Sequence, residues 1–220
     1  MTDQDLIKEL LDDPASFAES KSLFDLLSAY YDGLDLDTLR PLMRHSNAGV
    51  RRTAVWIASE LGAKAGPLLD EALYILRIET DPLTRFLALE IVTLSSADCR
   101  SETFAHVCQA LADADGGIRR LTMLLVGNSS RSQIEHSRQV LRSDSHQAGL
   151  HLLLEADRGE ASELPRLLKS SDPLMRKYAA IAAYRLLKRS PSIRQDRVIT
   201  TALEVEDPEV KHFIQKHIGT

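Results

Sequence analysis

The sequence is poor in the residue types and the long apolar runs that mark several protein classes. It has two cysteines, Cys99 and Cys108, one tryptophan and 5% aromatic residues in 220 positions. Two cysteines are too few for the disulfide framework of a small secreted domain, so both are expected to be reduced thiols. No apolar run approaches the ~20 residues that span a bilayer, and the amino end lacks the basic stretch of a secretion signal. These absences predict a cytoplasmic protein without a membrane partner.

Sequence signatures of catalysis are also scarce. The chain has no glycine-rich phosphate loop, no G-x-S-x-G turn and no H-E-x-x-H helix. The best metal candidate groups Cys99 and Cys108 with Glu102 and His106, but it lacks the paired C-x₂₋₄-C spacing of closed zinc sites. Ordinary packing of Cys108 in a helix is the simpler interpretation. We therefore expect no catalytic residue, no metal and no cofactor, and a protein that is not an enzyme.

The charged residues are distributed unevenly along a chain of ordinary globular composition. Apolar residues make up 44% and charged residues 27%, which predicts a folded protein with a net charge of −5. Residues 1–37 carry ten acidic residues against two lysines, whereas residues 176–197 carry seven basic residues against one aspartate. Charge of this density steers partners, although solvation of outer helix faces is the simpler interpretation of either cluster alone.

A short turn followed by a basic residue recurs five times. The turns begin at Asn47, Asp81, Asp115, Asp172 and Asp207, and the residues four positions later are Arg51, Arg85, Arg119, Arg176 and Lys211. The first three turns start 34 residues apart and the last two 35 apart, which indicates an internal repeat. The interval of 57 residues between Asp115 and Asp172 leaves room for a degenerate unit near Asp144. About six units are predicted, the first of them an atypical amino-terminal cap near Asp12.

Each turn lies between two segments of helical period. Apolar residues recur there at spacings of three and four, and no alternating strand pattern is present. Asp or Asn before Pro or Gly is suited to cap the second helix, because its side-chain oxygen accepts a hydrogen bond from an unsatisfied N–H. The final unit, residues 198–218, is expected to be a cap with an inner face of Val210, Phe213 and Ile214. The pattern predicts an all-α protein built from helical hairpins.

The turn, the basic residue and the paired helices resemble the HEAT-repeat (armadillo-like) family over about residues 37–220. The resemblance implies a right-handed α-solenoid of about six hairpins, with residues 1–37 as acidic capping helices and residues 38–220 as one continuous repeat domain. It also implies a ladder in which the turn aspartate and the following arginine pair between neighbouring repeats. This ladder maps onto Asp81, Asp115, Asp172, Arg51, Arg85, Arg119 and Arg176. It should break at Asp144, where Ala148 takes the basic position.

The resemblance further implies that the second helices line a concave face. Counted from the turn residue, positions +3, +7, +10, +11 and +14 form a buried stripe, which in the first full unit is Val50, Ala54, Ile57, Ala58 and Leu61. Positions +5, +9 and +12 lie opposite and are rich in residue types that anchor interfaces. The predicted partner-binding residues are Arg52, Trp56, Phe86, Glu90, Arg120, Lys177 and Tyr184. A helical phase shifted by one position would instead place the three aromatic residues in the core.

The favoured function is a non-enzymatic scaffold or adaptor that binds a protein in its concave groove. The partner and the oligomeric state stay open, because a repeat fold serves many functions. One alternative is a small acidic immunity or inhibitor protein against a basic toxin or nuclease, since the amino terminus is strongly acidic. Another is a nucleic-acid-binding protein that uses the basic stretch Arg176–Arg197, which the acidic chain and few aromatic residues make less favoured.

Overall fold

The computed structural model describes residues 2–95, 101–160, 162–189 and 204–217. Within these ranges the chain forms helices and no strand, so the predicted all-α class is confirmed. None of the described helices is both long and apolar enough to cross a membrane. The chain divides into two compact units, Met1–Asp98 and Cys99–Thr220, which we call the amino-terminal unit and the carboxyl-terminal unit. The division predicted at residues 37 and 38 stays a prediction.

The amino-terminal unit consists of seven described α-helices joined by short connections. Short 3₁₀ segments, Leu36–Thr38 and Gly62–Leu68, precede the fourth and the sixth helix. The helices α3, α4, α5 and α7 carry most of the apolar core, and α2 packs on α5. The α-helices are α1 (Asp3–Asp12), α2 (Pro14–Ala18), α3 (Lys21–Tyr31), α4 (Leu39–Met43), α5 (Ala48–Glu60), α6 (Leu69–Ile78) and α7 (Pro82–Leu94).

The predicted caps and helical phase are confirmed in this unit. The Asn47 side chain accepts a hydrogen bond from the Gly49 backbone at 2.8 Å and begins α5. The Asp81 carboxylate accepts one from the Thr84 backbone at 3.0 Å and begins α7. Every residue of the predicted α5 stripe is at most 4% exposed, and α5 packs on α4 and α7. The stripe therefore supplies the contact face that joins consecutive hairpins.

The carboxyl-terminal unit also has seven described α-helices, arranged around a central one. They are α8 (Ser101–Gln109), α9 (Gly116–Asn128), α10 (Arg131–Val140), α11 (Asp144–Ala156), α12 (Leu164–Leu167), α13 (Pro173–Arg189) and α14 (Pro208–His217). The helix α10 packs on α8 and α11, and α14 packs on α9 and α13. The predicted inner face of α14 is confirmed, since Val210, Phe213 and Ile214 are buried. Residues 198–203 and 218 of the predicted cap lie outside the described residues.

The helix α13 lies between α9 and α11, and every residue of its middle part, 177–183, is buried. Alanines at 179, 180, 182 and 183 allow close packing, and Gly149 on α11 leaves room for the Tyr178 ring, which would lie 2.1 Å from a Cβ at that position. The segment 178–183 is apolar on every side, and such a segment belongs in the centre of a bundle. For this reason α13, and not α11, is the helix that packs most extensively against α9.

The basic residue after the turn binds backward to the turn itself. In three turns its guanidinium donates hydrogen bonds to the two carbonyl groups that immediately precede the capping residue. The first carbonyl of each pair is bonded in a part-buried environment and the second in an exposed one, so the arginine supplies a donor where water has less access and stabilises the entry into the second helix. The pairs are Arg51 with His45 and Ser46, Arg119 with Asp113 and Ala114, and Arg176 with Ser170 and Ser171.

The predicted pairing of an arginine with the next turn aspartate is found once in the ion pairs below, and the other two arginines pair with glutamates near a turn. Arg176 pairs with Asp207, the capping aspartate of the next turn, at 2.8 Å as the resemblance implies. Arg51 instead pairs with Glu79, two residues before a turn aspartate, and Arg119 pairs with Glu209, two residues after one. Arg119 does not pair with the turn at Asp144, where the residue four positions later is Ala148. The ladder of ion pairs is therefore broken at this turn, as predicted.

A buried ion pair joins three helices of the carboxyl-terminal unit. Arg185, whose side chain is 3% exposed, pairs with the fully buried Asp157 carboxylate at 2.7 Å. The same guanidinium donates to the carbonyls of Val126, Gly127 and Ser129, where α9 ends. It therefore satisfies groups at the ends of both α9 and α11 from its position on α13.

We expect Arg185→Met to lower the free energy of unfolding by about 3–5 kcal/mol, because it leaves Asp157 charged, buried and without its main partner. The matched control is Arg189→Met, which removes a 48% exposed arginine that pairs with the same carboxylate. An exposed pair contributes less than about 1 kcal/mol. Urea unfolding followed by circular dichroism measures both. Equal losses in the two variants would show that the buried pair has no special role.

Candidate functional site

A groove of about 510 Å³ opens on the amino-terminal unit beside Trp56. We call it the Trp56 groove. Apolar side chains of α2, α5 and α7 form most of its walls, and the one tryptophan of the chain lies half-buried among them. The residues that shape it are Pro14, Ala18, Arg52, Trp56, Leu83 and Leu87. An apolar concavity with few polar groups is the usual form of a binding pocket.

Exposed apolar side chains extend this groove on both sides. Phe24 on α3 packs edge-on against the Trp56 ring, with ring centroids 6.0 Å apart, and is itself 59% exposed. Leu83 of α7 lines the groove itself and is 46% exposed. A contiguous apolar surface of this kind marks an interaction site more often than an idle surface.

The groove contains one charge of each sign. Glu19 and Arg52 both line it and both are exposed. Arg52 also acts on Asp81 at the start of α7: a hydrogen bond from the Thr84 hydroxyl and, to a smaller extent, the charge of Arg52 hold the pKa of Asp81 below its usual value. The Arg52 guanidinium therefore lies close to both the groove and the Asp81 carboxylate, and its N–H groups can donate hydrogen bonds to a partner.

The structure brings together two of the four residues predicted on α5 and α7. Arg52 and Trp56 both line the groove, as the helical phase predicts. Phe86 and Glu90 lie half-buried on α7 outside its lining. Burial, and then the nearby charge of Glu60, raises the pKa of Glu90 above its usual value. Their role in partner binding stays a prediction.

In the carboxyl-terminal unit the predicted face is largely covered. Arg120 is exposed, but Lys177 is 7% exposed and lies 3.9 Å from Glu209, and burial lowers its pKa. The Tyr184 ring packs against Phe213 of α14 at 5.8 Å. Lys177 is therefore nearly buried and Tyr184 is half-buried against α14, whereas an open face was expected; their role in partner binding stays a prediction. The physical reason is the central position of α13, whose outer positions contact α9 and α14.

Most of the described basic residues in the stretch Arg176–Arg197 already have partners within the carboxyl-terminal unit. Arg176 and Arg185 bind Asp207 and Asp157, and Lys188 donates to Asn128 at 2.7 Å. Arg194 and Arg197 lie outside the described residues. Cations that are already paired offer little to phosphate groups, so the described part of this stretch gives no support to nucleic-acid binding.

Sequence reasoning missed the outer residues of the groove, Phe24 and Leu83. A signal for Phe24 was present: Phe24 and Tyr31 are seven residues apart and therefore share a helix face that the buried stripe of Leu23, Leu26 and Tyr30 does not occupy. Leu83 follows the turn proline, Pro82. The sequence gives no sign that it faces a groove, because that groove exists only once α2 packs against α5.

The described residues show no centre for metal or thiol chemistry. No group of three or more His, Cys, Asp or Glu side chains among them is arranged to hold a metal ion. Cys108 is fully buried, and burial raises its pKa to about 12, so the thiol is packed and unreactive at neutral pH. Cys99 of the metal candidate lies outside the described residues.

Comparison with known proteins gives information on the fold alone. No family model matches the sequence, and no curated protein matches it. Among solved structures the chain is similar to an engineered protein from the Northeast Structural Genomics Consortium, with a TM-score of 0.51 and 16% identity over 99% of this chain and 67% of that one. A second engineered protein from the same consortium gives a TM-score of 0.44 and 17% identity over 84% and 96%. The first likeness supports the arrangement of helices.

A buried histidine gives the carboxyl-terminal unit a pH dependence that can be measured. His146 Nδ1 lies 2.8 Å from the Tyr178 hydroxyl, and burial lowers the histidine pKa below its usual 6.5, although the charge of Asp172 opposes the shift. The folded state therefore disfavours the charged imidazole. Its contribution to stability is fully present above the unfolded pKa and is lost as the pH falls through the folded pKa.

We expect the free energy of unfolding to fall between about pH 7 and pH 5, and His146→Gln to flatten this slope, because glutamine can still bond the tyrosine but does not titrate. His136→Gln, at an exposed histidine of α10, is the matched control and should leave the slope unchanged. Urea unfolding at a series of pH values gives the slopes. A His146→Gln slope equal to that of the native protein would contradict the assignment.

Proposed function

We propose that the chain is a non-enzymatic protein-binding module and that the Trp56 groove receives an apolar side chain of the partner. The observation that carries this proposal is the continuity of the groove with the exposed Phe24 and Leu83. Half-buried tryptophan, exposed apolar surface and an arginine with free donors form the combination found at interface anchors. A small-molecule pocket would enclose its ligand, whereas this apolar surface continues outside the cavity.

The HEAT-like architecture belongs to the same proposal. It is supported by the capped turns and by the backward-binding arginines, which recur in both units. In the amino-terminal unit, α4 with α5 and α6 with α7 form consecutive hairpins whose second helices are neighbours. A right-handed stack of about six such hairpins is the arrangement that we propose, with the central position of α13 as its departure from a regular repeat.

A second candidate is the acidic immunity or inhibitor protein, and one observation favours it. Of the ten acidic residues among residues 1–37, eight are exposed and two are half-buried. These residues lie on α1 and α3, at the two ends of α2 and in the segment after α3, and α2 and α3 contribute to the walls of the Trp56 groove. Both candidates bind a protein at this groove. They differ in which protein is bound and in whether binding inhibits it.

The decisive experiment compares variants of the groove against a partner first recovered with the full-length protein and then purified. We expect Trp56→Ala and Leu83→Ser each to weaken the partner at least tenfold, because loss of an interface anchor commonly costs ~2 kcal/mol. Val140→Ser is the matched control, since Val140 is 41% exposed and lies on α10 of the other unit. Calorimetric titration measures the affinities.

Stability measurements separate a binding role from a structural one. A fully buried tryptophan costs ~3–5 kcal/mol when truncated, whereas Trp56 is half-buried and should cost less than about 2 kcal/mol. Because Trp56 is the one tryptophan, its fluorescence should also shift when the partner binds. Unchanged affinity in both groove variants, with unchanged fluorescence on binding, would refute the proposal.

A further inference from the structure

A second cavity, of about 690 Å³, opens beside α3 in the amino-terminal unit and is strongly acidic. We call it the Asp cleft. Four aspartates line it, together with small and apolar residues, and the described lining includes no arginine or lysine. The nearest cation in an ion pair is Lys21, which approaches one of these aspartates at 3.8 Å and is itself 89% exposed. The aspartates are Asp3, Asp25, Asp32 and Asp35.

One helix separates the Asp cleft from the Trp56 groove. Leu23 of α3 lines the groove, whereas Asp25 and Ser28 of the same helix line the cleft. Between these two sides, the helical period places Phe24 and Tyr31 on one outward face, and they are 59% and 47% exposed. A partner that crosses α3 therefore meets an apolar groove, an aromatic face and an acidic cleft in succession.

The charge around α3 is uncompensated within its own segment. Residues 1–37 carry ten acidic residues and two lysines, and most of these carboxylates are exposed. Exposed like charges repel one another, and a cationic partner relieves that repulsion and is steered to the surface. The negative charge of this surface therefore favours a positively charged partner.

We infer that the partner segment is basic: it places one apolar side chain in the Trp56 groove and lysine or arginine side chains in the Asp cleft. This inference rests on the proposed function of the groove and names the chemistry of the partner. An α-helix with its side chains is about 10 Å across, so anchor and cation are separated by roughly that distance. Three residues of extended chain or seven of helix span it.

The same surface disfavours other occupants. Nucleic acids and anionic lipid headgroups carry the same sign of charge as the cleft and are repelled by it. A small cation alone would leave the groove and the aromatic face unused. A second copy of the chain is the remaining occupant, and it is an outcome of the experiment below.

The test selects phage-displayed random 16-residue peptides on the full-length protein and measures the affinity of the selected peptides, made synthetically, by fluorescence anisotropy. We expect lysine and arginine to be enriched near an aromatic or aliphatic anchor. Affinity should fall at least tenfold in Leu83→Ser and at least tenfold in the double variant Asp25→Asn, Asp32→Asn. The control, Asp144→Asn with Glu160→Gln, changes the net charge equally at exposed acids of the other unit and should stay within twofold.

Exchange of lysine for glutamine in the peptides identifies the contact directly. A basic peptide should lose less affinity on this exchange in the double aspartate variant than in the native protein, because two of the four cleft carboxylates are then already absent. Raising the salt from 50 to 300 mM should weaken the native complex severalfold and the double variant much less.

The outcomes separate this inference from the function on which it rests. Peptides that depend on Leu83 but carry no excess of lysine or arginine, and are insensitive to the double aspartate variant, overturn the basic partner and leave the groove as a binding site. Peptides insensitive to Leu83→Ser overturn both. Self-association in sedimentation equilibrium that Phe24→Ser abolishes would assign the surface to a second copy and also overturn the inference.

Discussion

The buried guanidinium of Arg185 is the interaction on which the carboxyl-terminal unit depends. It lies on the central helix α13, pairs with Asp157 at the end of α11 and donates to carbonyls at the end of α9. The end of a helix inside a core is unfavourable unless its free carbonyls find donors. A single planar side chain with five N–H donors satisfies the carbonyls at the end of α9 and the Asp157 carboxylate after α11 at once, which lysine would not. The central helix α13 can therefore carry a buried charge, because the Arg185 guanidinium is both ion-paired and hydrogen-bonded.

The same chemistry recurs on a smaller scale at the turns, and there the sequence was informative. Spacing alone predicted the capping residues and the basic residue four positions later, because both act within one turn of chain. The acidic partner was predictable only for Arg176. Two carboxylates lie close to several turns, as with Glu79 and Asp81 or Asp207 and Glu209, and the packing of the helices decides which one an arginine reaches.

The limits of prediction at the candidate site have a similar origin. The period of α5 placed Arg52 and Trp56 correctly, because one buried stripe defines the opposite face of an amphipathic helix. The helix α13 has no such single stripe: alanines and Ile181 make both of its faces apolar, so the face opposite to Met175 and Ala179 was no guide to solvent. That apolar character was visible in the sequence. The regular turn spacing favoured the interpretation as one more repeat and concealed it.

The two charged clusters of the sequence are placed differently in the structure, and this difference supports the proposed function. The basic residues near Arg176 are paired with carboxylates inside the carboxyl-terminal unit, and these ion pairs hold helices together. Most acidic residues of the segment that contains α1 to α3 are exposed, and the same segment contributes to the wall of an open apolar groove. A charge neutralised internally has little long-range effect, whereas an exposed one acts over about 8–10 Å at ordinary salt. Recognition of a partner is accordingly expected at the acidic surface around α3, with the basic residues serving the fold.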